Sequence, residues 1–370
     1  MARISEQIIE QIRSTADIIE VVSGYVQLKK RGRNYFGLCP FHGEKTASFS
    51  VSPQRQIYKC FGCSVGGGVI NFIMEIEGME FINAVKHLAD QYSIELQIDE
   101  STGQSKDLIT QLFDIHEKTA HTFLKNLGTE EGSKVLAHLE SRGLSRDTIK
   151  KFKLGYSLKQ KDALLTAFRK EGVRSEAMKQ SGLFIDTKGG YMDRFRGRIM
   201  FSIPNSSGKI AAFAGRVFES DDTAKYVNSP ETPIYNKSKI LYGLHETKQI
   251  IREAKSVIVV EGYLDFLQLY QSGIHNIVAV SGTAFTDQHA LQIKRFCQNV
   301  HLAYDGDSAG KSAAIRAGYV LLRAGLSPFI FNMPEELDPD DWVKRDGNAP
   351  FLEAVDNGEK LLPFHFQNYK

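Results

Sequence analysis

The sequence predicts a multidomain protein that combines α+β and α/β architecture. Its 370 residues exceed the roughly 100–200 that one domain usually holds, so we expect two or three domains. After His245, buried strand-like segments alternate with helical ones, which is typical of a parallel sheet with helices on both faces. Near the other end, two closely spaced pairs of cysteine and histidine indicate a small fold built around a metal ion.

The composition excludes several classes of protein. A hydrophobic content of 42% and a charged content of 24% are typical of a globular chain rather than a disordered one. No apolar run approaches the ~20 residues that a bilayer span requires, and the first residues are too polar for a secretory signal. Four cysteines are too few for a disulfide scaffold, so we expect a cytoplasmic protein without a membrane partner.

Residues 1–100 form the first predicted domain. Helical periodicity opens it, and strand-like segments follow between Tyr35 and Tyr58. Two further helices are predicted at about Val69 to Glu77 and Phe81 to Tyr92. The polar run at 101–107 lacks large apolar side chains, so we interpret it as a linker.

Residues 108–244 form the second predicted domain, which has mixed α+β character. The pattern is mostly helical to about Arg174, strand-like from Gly189 to Val217, and rich in loop-forming residues from Lys225 to Leu244.

Residues 245–340 form the predicted parallel-sheet domain, and 341–370 are a C-terminal helical segment. The predicted strands are Ser256–Val260, Asn276–Val280, Val300–Tyr304 and Phe329–Asn332, and the predicted helices are Tyr263–Gln271, Thr286–Phe296 and Ala309–Leu322.

The cysteines and one histidine have the spacing of a zinc ribbon. Two residues lie between Cys39 and His42, two also lie between Cys60 and Cys63, and seventeen residues separate the pairs. Each pair can close a small loop around a tetrahedral ion, and four protein ligands leave no open position for catalysis. We therefore predict one structural Zn²⁺; the alternative is that these are buried thiols and a core histidine.

The same segment is basic and aromatic. Between Gly24 and Cys63 there are seven Lys and Arg residues against a single acid, Glu44. Cations can follow a nucleic-acid backbone while aromatic rings stack on unpaired bases, so the segment is predicted to bind nucleic acid. As the alternative, half or more of the aromatic residues belong to the core, which we expect for Phe41 and Phe61. The predicted binding residues are Lys29, Lys30, Arg31 and Arg33.

Acidic residues follow the buried strands of the parallel sheet. Glu261 stands at the carboxyl end of one predicted strand, and Asp305 and Asp307 stand at the end of another. Ligands of open parallel sheets bind at this edge, and carboxylates gathered there repel one another unless a cation such as Mg²⁺ neutralises them. The alternative is turn formation and solvated loop charge. It carries most weight for the supporting acids, which are Asp265, Asp338 and Asp340.

Basic residues precede this sheet. Arg194, Arg196 and Arg198 alternate and are predicted to line one face of a strand, where they could bind phosphates. Structural salt bridges are the alternative for each of these cations. The further phosphate-binding candidates are Arg142, Lys225, Asn228 and Lys237.

Taken together, these motifs resemble the bacterial replicative DNA primases over essentially the whole chain. The Cys39, His42, Cys60 and Cys63 set is similar to their zinc-binding domain, and Glu261-Gly262 with Asp305-Gly306-Asp307 is similar to the TOPRIM signature. The resemblance implies a zinc ribbon with helices, a mixed α+β polymerase subdomain and a TOPRIM α/β subdomain.

The resemblance also implies an activity: a DNA-dependent RNA polymerase, a nucleotidyltransferase that makes short RNA primers from ribonucleoside triphosphates on single-stranded DNA. Two or more catalytic Mg²⁺ ions are implied, with Mn²⁺ as a substitute, and the ribbon would help to choose the initiation sequence. Glu261, Asp305 and Asp307 would bind the metal, and Asp265, Asp338 and Asp340 would support them. The implied template or nucleotide ligands are Arg142, Arg194, Arg198, Arg216, Lys225, Asn228 and Lys237.

The family implies a replisome location in the bacterial nucleoid and a replicative helicase as partner. Its members continue beyond TOPRIM with a helical subdomain and a helicase-interaction domain. Because the sequence ends at Lys370, we expect the helicase-binding domain to be missing from this chain.

Three other activities are compatible with the same motifs. A type I topoisomerase shares TOPRIM but needs a nucleophilic tyrosine and a large gated arch. A TOPRIM nuclease would cut DNA with Mg²⁺, and a non-enzymatic zinc-ribbon module would bind template without incorporating nucleotides.

Overall fold

The computed structural model describes residues 6–79, 81–94, 103–219, 224–280, 282, 284–334 and 337–368. The chain divides into two compact units, which we call unit 1 (Met1–Asp107) and unit 2 (Leu108–Lys370). No helix in these ranges combines the length and the apolar character that crossing a membrane requires.

Unit 1 is built on a five-stranded antiparallel sheet with strands in sequential order. Each strand pairs with the one before it, and the longest has only four residues, so the sheet alone provides a small core. The elements are α1 (Glu6–Thr15), α2 (Ile18–Ser23), β1 (Lys29–Arg31), β2 (Asn34–Gly37), β3 (Phe49–Ser52), β4 (Ile57–Cys60), β5 (Gly66–Gly67), α3 (Val69–Glu77) and α4 (Phe81–Gln91).

Helix α3 closes one face of this sheet. Its apolar residues cover most of its surface, and Phe72 packs edge-on against Tyr58 at 5.4 Å between ring centroids. Phe49 stacks on Tyr58 at 5.3 Å, so the rings of α3, β3 and β4 form one aromatic cluster. Burying each such side chain contributes about 1.5–3 kcal/mol, which is a large share for so small a unit.

Residues 103–107 of the predicted linker are helical, and the role of this segment as a linker stays a prediction. Helix α5 (Gly103–Asn126) begins there, and residues 101 and 102 lie outside the described ranges. A polar run forms a helix when later turns supply an apolar face, and Leu112 and Ile115 are buried within α5.

Unit 2 begins with helices around an antiparallel four-stranded sheet, ordered β11-β10-β9-β6. The short strand β6 was not predicted within the helical region, and β7 and β8 form a separate hairpin. The elements are α6 (Glu130–Ser141), α7 (Arg146–Lys151), β6 (Gly155–Ser157), α8 (Ala163–Lys170), α9 (Ser175–Gln180), β7 (Phe184–Thr187), β8 (Gly190–Asp193), β9 (Arg198–Pro204), β10 (Ile210–Val217), β11 (Tyr226–Asn228), a 3₁₀ turn (Lys237–Lys239) and α10 (Leu244–Ala254).

The second half of unit 2 holds a five-stranded sheet, ordered β13-β12-β14-β15-β16. Its first four strands are parallel, as predicted, and β16 is an unpredicted antiparallel edge strand. The elements are β12 (Ser256–Val260), α11 (Tyr263–Gln271), β13 (Ile277–Ala279), α12 (Asp287–Ile293), β14 (Asn299–Leu302), α13 (Ser308–Arg323), β15 (Ser327–Ile330), α14 (Pro339–Asp346), α15 (Asn348–Asp356), β16 (Glu359–Lys360) and α16 (Leu361–Asn368).

Strand β12 is buried on both faces. Ile258 and Val260 join one hydrophobic cluster, whereas Val257 and Val259 join another on the opposite side. This explains its continuous apolar sequence, because helices cover both faces of a parallel sheet. The carboxyl ends of β12, β14 and β15 therefore lie at a single edge.

We expect acid to destabilise unit 2 through His116. Its ring is fully buried, Nε2 donates to the Ser181 carbonyl at 2.8 Å, and burial lowers its pKa to about 4. Since the unfolded value is about 6.5, the free energy of unfolding should fall as the pH drops from 6.5 to 4, by up to about 3 kcal/mol for this residue. Denaturant titrations at several pH values would measure this slope, which His116→Gln should flatten; an unchanged slope in the variant would contradict the assignment.

Candidate metal centres and nucleic-acid interface

The four predicted zinc ligands converge in unit 1. Their ligand atoms lie within 4.8 Å of one another; Cys39 Sγ is 3.8 Å from Cys63 Sγ, and Cys60 Sγ is 3.7 Å from His42 Nδ1. With bonds of about 2.3 Å to a metal, the corners of a tetrahedron are about 3.8 Å apart, so this donor set fits Zn²⁺.

The local backbone prepares the sulfur atoms for a cation. Amide groups point at them: Phe41 N lies 3.4 Å from Cys39 Sγ, and Gly62 N lies 3.3 Å from Cys60 Sγ. Burial raises the pKa of Cys39, whereas at Cys60 hydrogen bonds, among them those from the Gly62 and Cys63 amides, outweigh burial and lower the pKa. A zinc ion would provide the positive charge that the buried Cys39 thiolate needs.

The predicted cations of unit 1 lie on its surface. Lys29, Lys30 and Arg31 form the exposed edge strand β1, and Arg33 is exposed in the turn that follows. Arg31 also lies over the ring of Phe36, with 5.9 Å to its centroid. A row of exposed cations beside aromatic rings can contact a nucleic-acid strand.

Phe61 corrects the expectation that it belongs to the core, because 71% of its surface is exposed. It lies in the turn between two zinc ligands, and its amide donates to the Ser48 carbonyl at 3.0 Å. Phe41 packs against Phe49 and Tyr58, as expected.

The acidic edge of unit 2 is assembled from helix starts. Asp265 in the first turn of α11 accepts from Gly262 N at 3.0 Å, Asp307 caps α13, and Asp338 caps α14. The partial positive charge of each helix N-terminus partly offsets these carboxylates. These hydrogen bonds at the helix starts are the turn formation that we gave as the alternative role of the acidic residues. Each of them leaves one carboxylate oxygen for other contacts.

The carboxylates at this edge interact electrostatically. Burial, and then the charges of Asp305 and Asp307, raise the pKa of Glu261 to about 7. Burial, and then the charges of Asp338 and others, raise the pKa of Asp265 to about 8. Within the described ranges, Glu261 Oε1 is buried and has no hydrogen-bond donor. This is the environment that a divalent cation would relieve.

The oxygen atoms of Glu261, Asp305 and Asp307 do not all fall within 4.8 Å of one another. Among the residues that the structure describes, the acidic group that does is Asp338, Asp340 and Asp341. Glu261, Asp305 and Asp307 thus offer the oxygen donors that a divalent cation prefers, but their oxygen atoms are not gathered around a single position in this structure.

Asp340 and Arg142 bind one another. Asp340 is 1% exposed; its Oδ2 lies 2.9 Å from Arg142, and its Oδ1 lies 2.5 Å from Lys344 Nζ. Gln268 on α11 donates to the Arg142 carbonyl at 2.5 Å. This partly buried ion pair joins the end of α6 to α14. It is the salt bridge that we gave as the alternative for Arg142, whose contact with nucleotide stays a prediction.

The predicted arginine-lined strand face is wrong. Arg194 and Arg196 lie in the connection between β8 and β9, and Arg198 begins β9 with only 2% of its surface exposed. The backbone turns at Gly197, whose φ of +60° interrupts the extended conformation. Arg194 donates to the Gly182 carbonyl, and Arg198 also donates to backbone carbonyls. Sequence alternation alone could not reveal these contacts.

Lys225 is a predicted phosphate ligand whose charge acts on a carboxylate of the acidic edge. It is exposed, and its positive charge acts to lower the pKa of Asp305, although burial dominates and the net pKa is raised. Asn228 Oδ1 lies 3.5 Å from the hydroxyl of Tyr263 at the start of α11. The remaining candidates are Arg216 in β10 and Lys237 in the 3₁₀ turn.

Successive parts of the chain match three protein families. These are the CHC2 zinc finger at residues 4–104, the N-terminal domain of the DNA primase catalytic core at 122–248, and a Toprim-like family at 258–343. The solved Aquifex aeolicus primase, with zinc-binding and RNA polymerase domains, is 33% identical with a TM-score of 0.66, covering 97% of this chain and 87% of that one. The chain belongs to the bacterial DNA primase family.

Curated DNA primases are also similar to this chain. The DNA primase of Listeria monocytogenes is 41% identical over 96% of this chain and 58% of its own length, and that of Halalkalibacterium halodurans is 40% identical over 99% and 61%. The chain thus spans about three fifths of these curated relatives. A solved DnaG primase catalytic domain bound to single-stranded DNA is 33% identical, with a TM-score of 0.65 over 71% of this chain and 83% of that one.

The family resemblance and the fold class predicted from the motifs are confirmed. Each matched range overlaps one predicted domain. The domain boundaries at 100, 244 and 340 and the roles of the individual site residues stay predictions.

Divalent cations should stabilise this protein more at pH 8 than at pH 6. The folded-state pKa values of Glu261 and Asp265 lie above their unfolded values near 4, so ionising these groups lowers stability as the pH rises toward 7 and 8. A bound cation would remove that penalty, and its largest effect comes once the protons have left. Thermal unfolding with MgCl₂ or with NaCl of equal ionic strength would test this.

The Mg²⁺-dependent rise in Tm should largely disappear in Asp305→Asn but persist in Asp346→Asn, since Asp346 pairs with Arg345 elsewhere on α14. A rise of equal size at both pH values would contradict the expectation.

Proposed function

We propose that this primase chain is a nucleotidyltransferase that makes short RNA primers from ribonucleoside triphosphates on single-stranded DNA. The observation that carries the proposal is the group of mutually repelling carboxylates at the carboxyl edge of a parallel sheet, where Glu261 and Asp305 are half-buried and Asp307 is exposed. Such an edge suits metal-assisted phosphoryl chemistry, and the motifs suggest no side-chain nucleophile there.

Glu261, Asp305 and Asp307 would hold two Mg²⁺ ions, with Mn²⁺ as a substitute. Glu261 and Asp305 would ligate one ion, and Asp305 and Asp307 the other, so Asp305 would bridge the pair. Such ions would supply the positive charge that favours ionisation of the primer 3′-hydroxyl and stabilises the leaving pyrophosphate. Asp265 and Asp338 would support these ligands through the helix starts that they cap.

Cations near the acidic edge would orient the substrate phosphates. Lys225 is the best supported of these cations, because its charge acts to lower the pKa of Asp305. Asn228, Arg216 and Lys237 are proposed as further ligands of template or nucleotide. Arg198 is the weakest candidate, since its guanidinium is buried on backbone carbonyls.

Template binding would involve unit 1. Its exposed cations in β1 can follow the phosphate backbone, and the exposed ring of Phe61 can stack on an unpaired base. The primase catalytic domain solved with single-stranded DNA supports the choice of template for this chain.

The cellular setting is inferred from the family alone. We propose that the protein works in the bacterial cytoplasm at the nucleoid-associated replisome, and that the full-length protein acts with a replicative helicase.

Asp305→Ala should abolish primer synthesis, because both proposed metal positions lose a ligand. The measurement is incorporation of labelled ribonucleotides on single-stranded DNA with Mg²⁺, where we expect a loss of at least about 100-fold, or roughly 3 kcal/mol. Asp346→Asn is the control and should keep normal activity. Normal synthesis by Asp305→Ala would refute the assignment, while relaxation or cutting of supercoiled DNA by the unaltered protein would favour a topoisomerase or a nuclease.

Phe61→Ala should weaken binding of single-stranded DNA without loss of zinc. Stacking of one base on an aromatic ring contributes about 1–3 kcal/mol, so we expect affinity to fall roughly 5- to 150-fold at fixed salt. Fluorescence anisotropy with a labelled oligonucleotide would measure this. Phe366→Ala removes a similarly exposed ring (79%) from α16 and should leave the affinity unchanged; equal affinities for all three proteins would rule out a stacking role.

A further inference from the structure

Glu44 has an unusual place in unit 1. It is the one acid in a segment with seven cations, yet its side chain is only 10% exposed. Both of its oxygens have partners: Oε1 accepts from Cys39 N at 2.7 Å and from Ser48 N at 3.0 Å, and Oε2 accepts from the Ser48 hydroxyl and lies 3.3 Å from His42 Nε2. A buried carboxylate with this many donors is locked in one orientation.

The His42 ring lies between this carboxylate and the cysteine sulfurs. Its Nδ1 faces the metal position, 3.7 Å from Cys60 Sγ, while Nε2 faces Glu44. The ring also packs closely on Gly62, where an added Cβ would lie 2.6 Å from Nε2. Only one ring nitrogen can ligate a metal while the other donates a hydrogen bond, so these contacts select Nδ1 as the ligand.

The same carboxylate also joins the two ligand loops. Through Cys39 N it holds the loop that carries Cys39 and His42. Through Ser48 it reaches the other loop, because Ser48 Oγ lies 3.3 Å from Cys60 Sγ and the Ser48 carbonyl accepts from Phe61 N at 3.0 Å. One side chain therefore contacts, directly or through one neighbour, the elements that hold Cys39, His42 and Cys60.

We propose that Glu44 is the positioning residue of the zinc site. Its carboxylate accepts a hydrogen bond from the Nε2–H group of His42, so that Nδ1 ligates the metal, and it holds the two ligand loops in place relative to each other. This role is independent of the proposed primer synthesis, since it concerns how tightly the ion is held. Glu44 is not itself a zinc ligand, because both of its oxygens are engaged by other donors.

Glu44→Gln tests the proposal with little change in shape. The amide oxygen can still accept from Cys39 N and Ser48 N, but the amide nitrogen would face two donors, His42 Nε2 and the Ser48 hydroxyl. Outer-shell partners of this kind typically change metal affinity by about 10- to 100-fold, so we expect a loss of that size. Zinc affinity of the full chain would be measured by competition with a colorimetric chelator.

Glu75→Gln provides the matched control. Glu75 is an exposed glutamate on α3 in the same unit, so the same substitution there should leave zinc affinity unchanged. If Glu44→Gln binds zinc within twofold of the unaltered protein, the proposal is overturned.

The tautomer of His42 gives a second, independent test on the unaltered protein. In a long-range ¹H–¹⁵N spectrum of ¹⁵N-histidine-labelled chain, the histidine whose signals change on zinc removal should show a protonated Nε2 and a metal-shifted Nδ1. A protonated Nδ1 with Nε2 on the metal would overturn the proposal even if Glu44→Gln failed to fold.

Discussion

The mutual repulsion of carboxylates at one edge of the parallel sheet is the constraint on which the organisation of unit 2 depends. Strands β12 and β14 are neighbours and run in the same direction, so the residues that follow them meet at the same edge. Glu261 and Asp305 are thereby held where burial raises both of their pKa values. The helix starts at Asp265, Asp307 and Asp338 offset only part of this charge, and the remainder favours a cation.

The two candidate metal centres differ in how the surrounding chain would hold an ion. In unit 1, short strands provide little core, and four ligands enclose the ion so that it can replace missing apolar contacts. Backbone amides and the Glu44 carboxylate complete its surroundings. In unit 2, hydrophobic clusters on both faces of the sheet provide a core without an ion, and the acidic edge lies at the carboxyl ends of the strands. Four protein ligands around an ion are typical of a structural site, whereas a catalytic site keeps a coordination position open.

Several polar contacts in unit 2 lie between residues far apart in sequence. Asp340 binds Arg142 across almost two hundred positions, and Gln271 accepts from both Ser145 N and Thr148 Oγ1. These bonds hold the loop after α6 against α11 and α14, the helices that carry Asp265 and Asp340. Buried ions of this kind are costly unless both partners are present, so the acidic edge and the helical region form one packing arrangement.

The sequence alone determined the features that depend on local spacing. The cysteine and histidine pairs, the strand Ser256–Val260 and the helix Val69–Glu77 were predictable because ligand spacing and hydrophobic period are properties of neighbouring residues. Only the tertiary structure decided that Phe61 is exposed, that Gly197 breaks the arginine alternation, and that Arg142 binds Asp340. Glu44 was visible in the sequence only as a lone acid. The contacts of Glu44, like those of Phe61 and Arg142, depend on which groups the fold brings against the side chain. Local sequence patterns do not specify such contacts, because tertiary folding forms them.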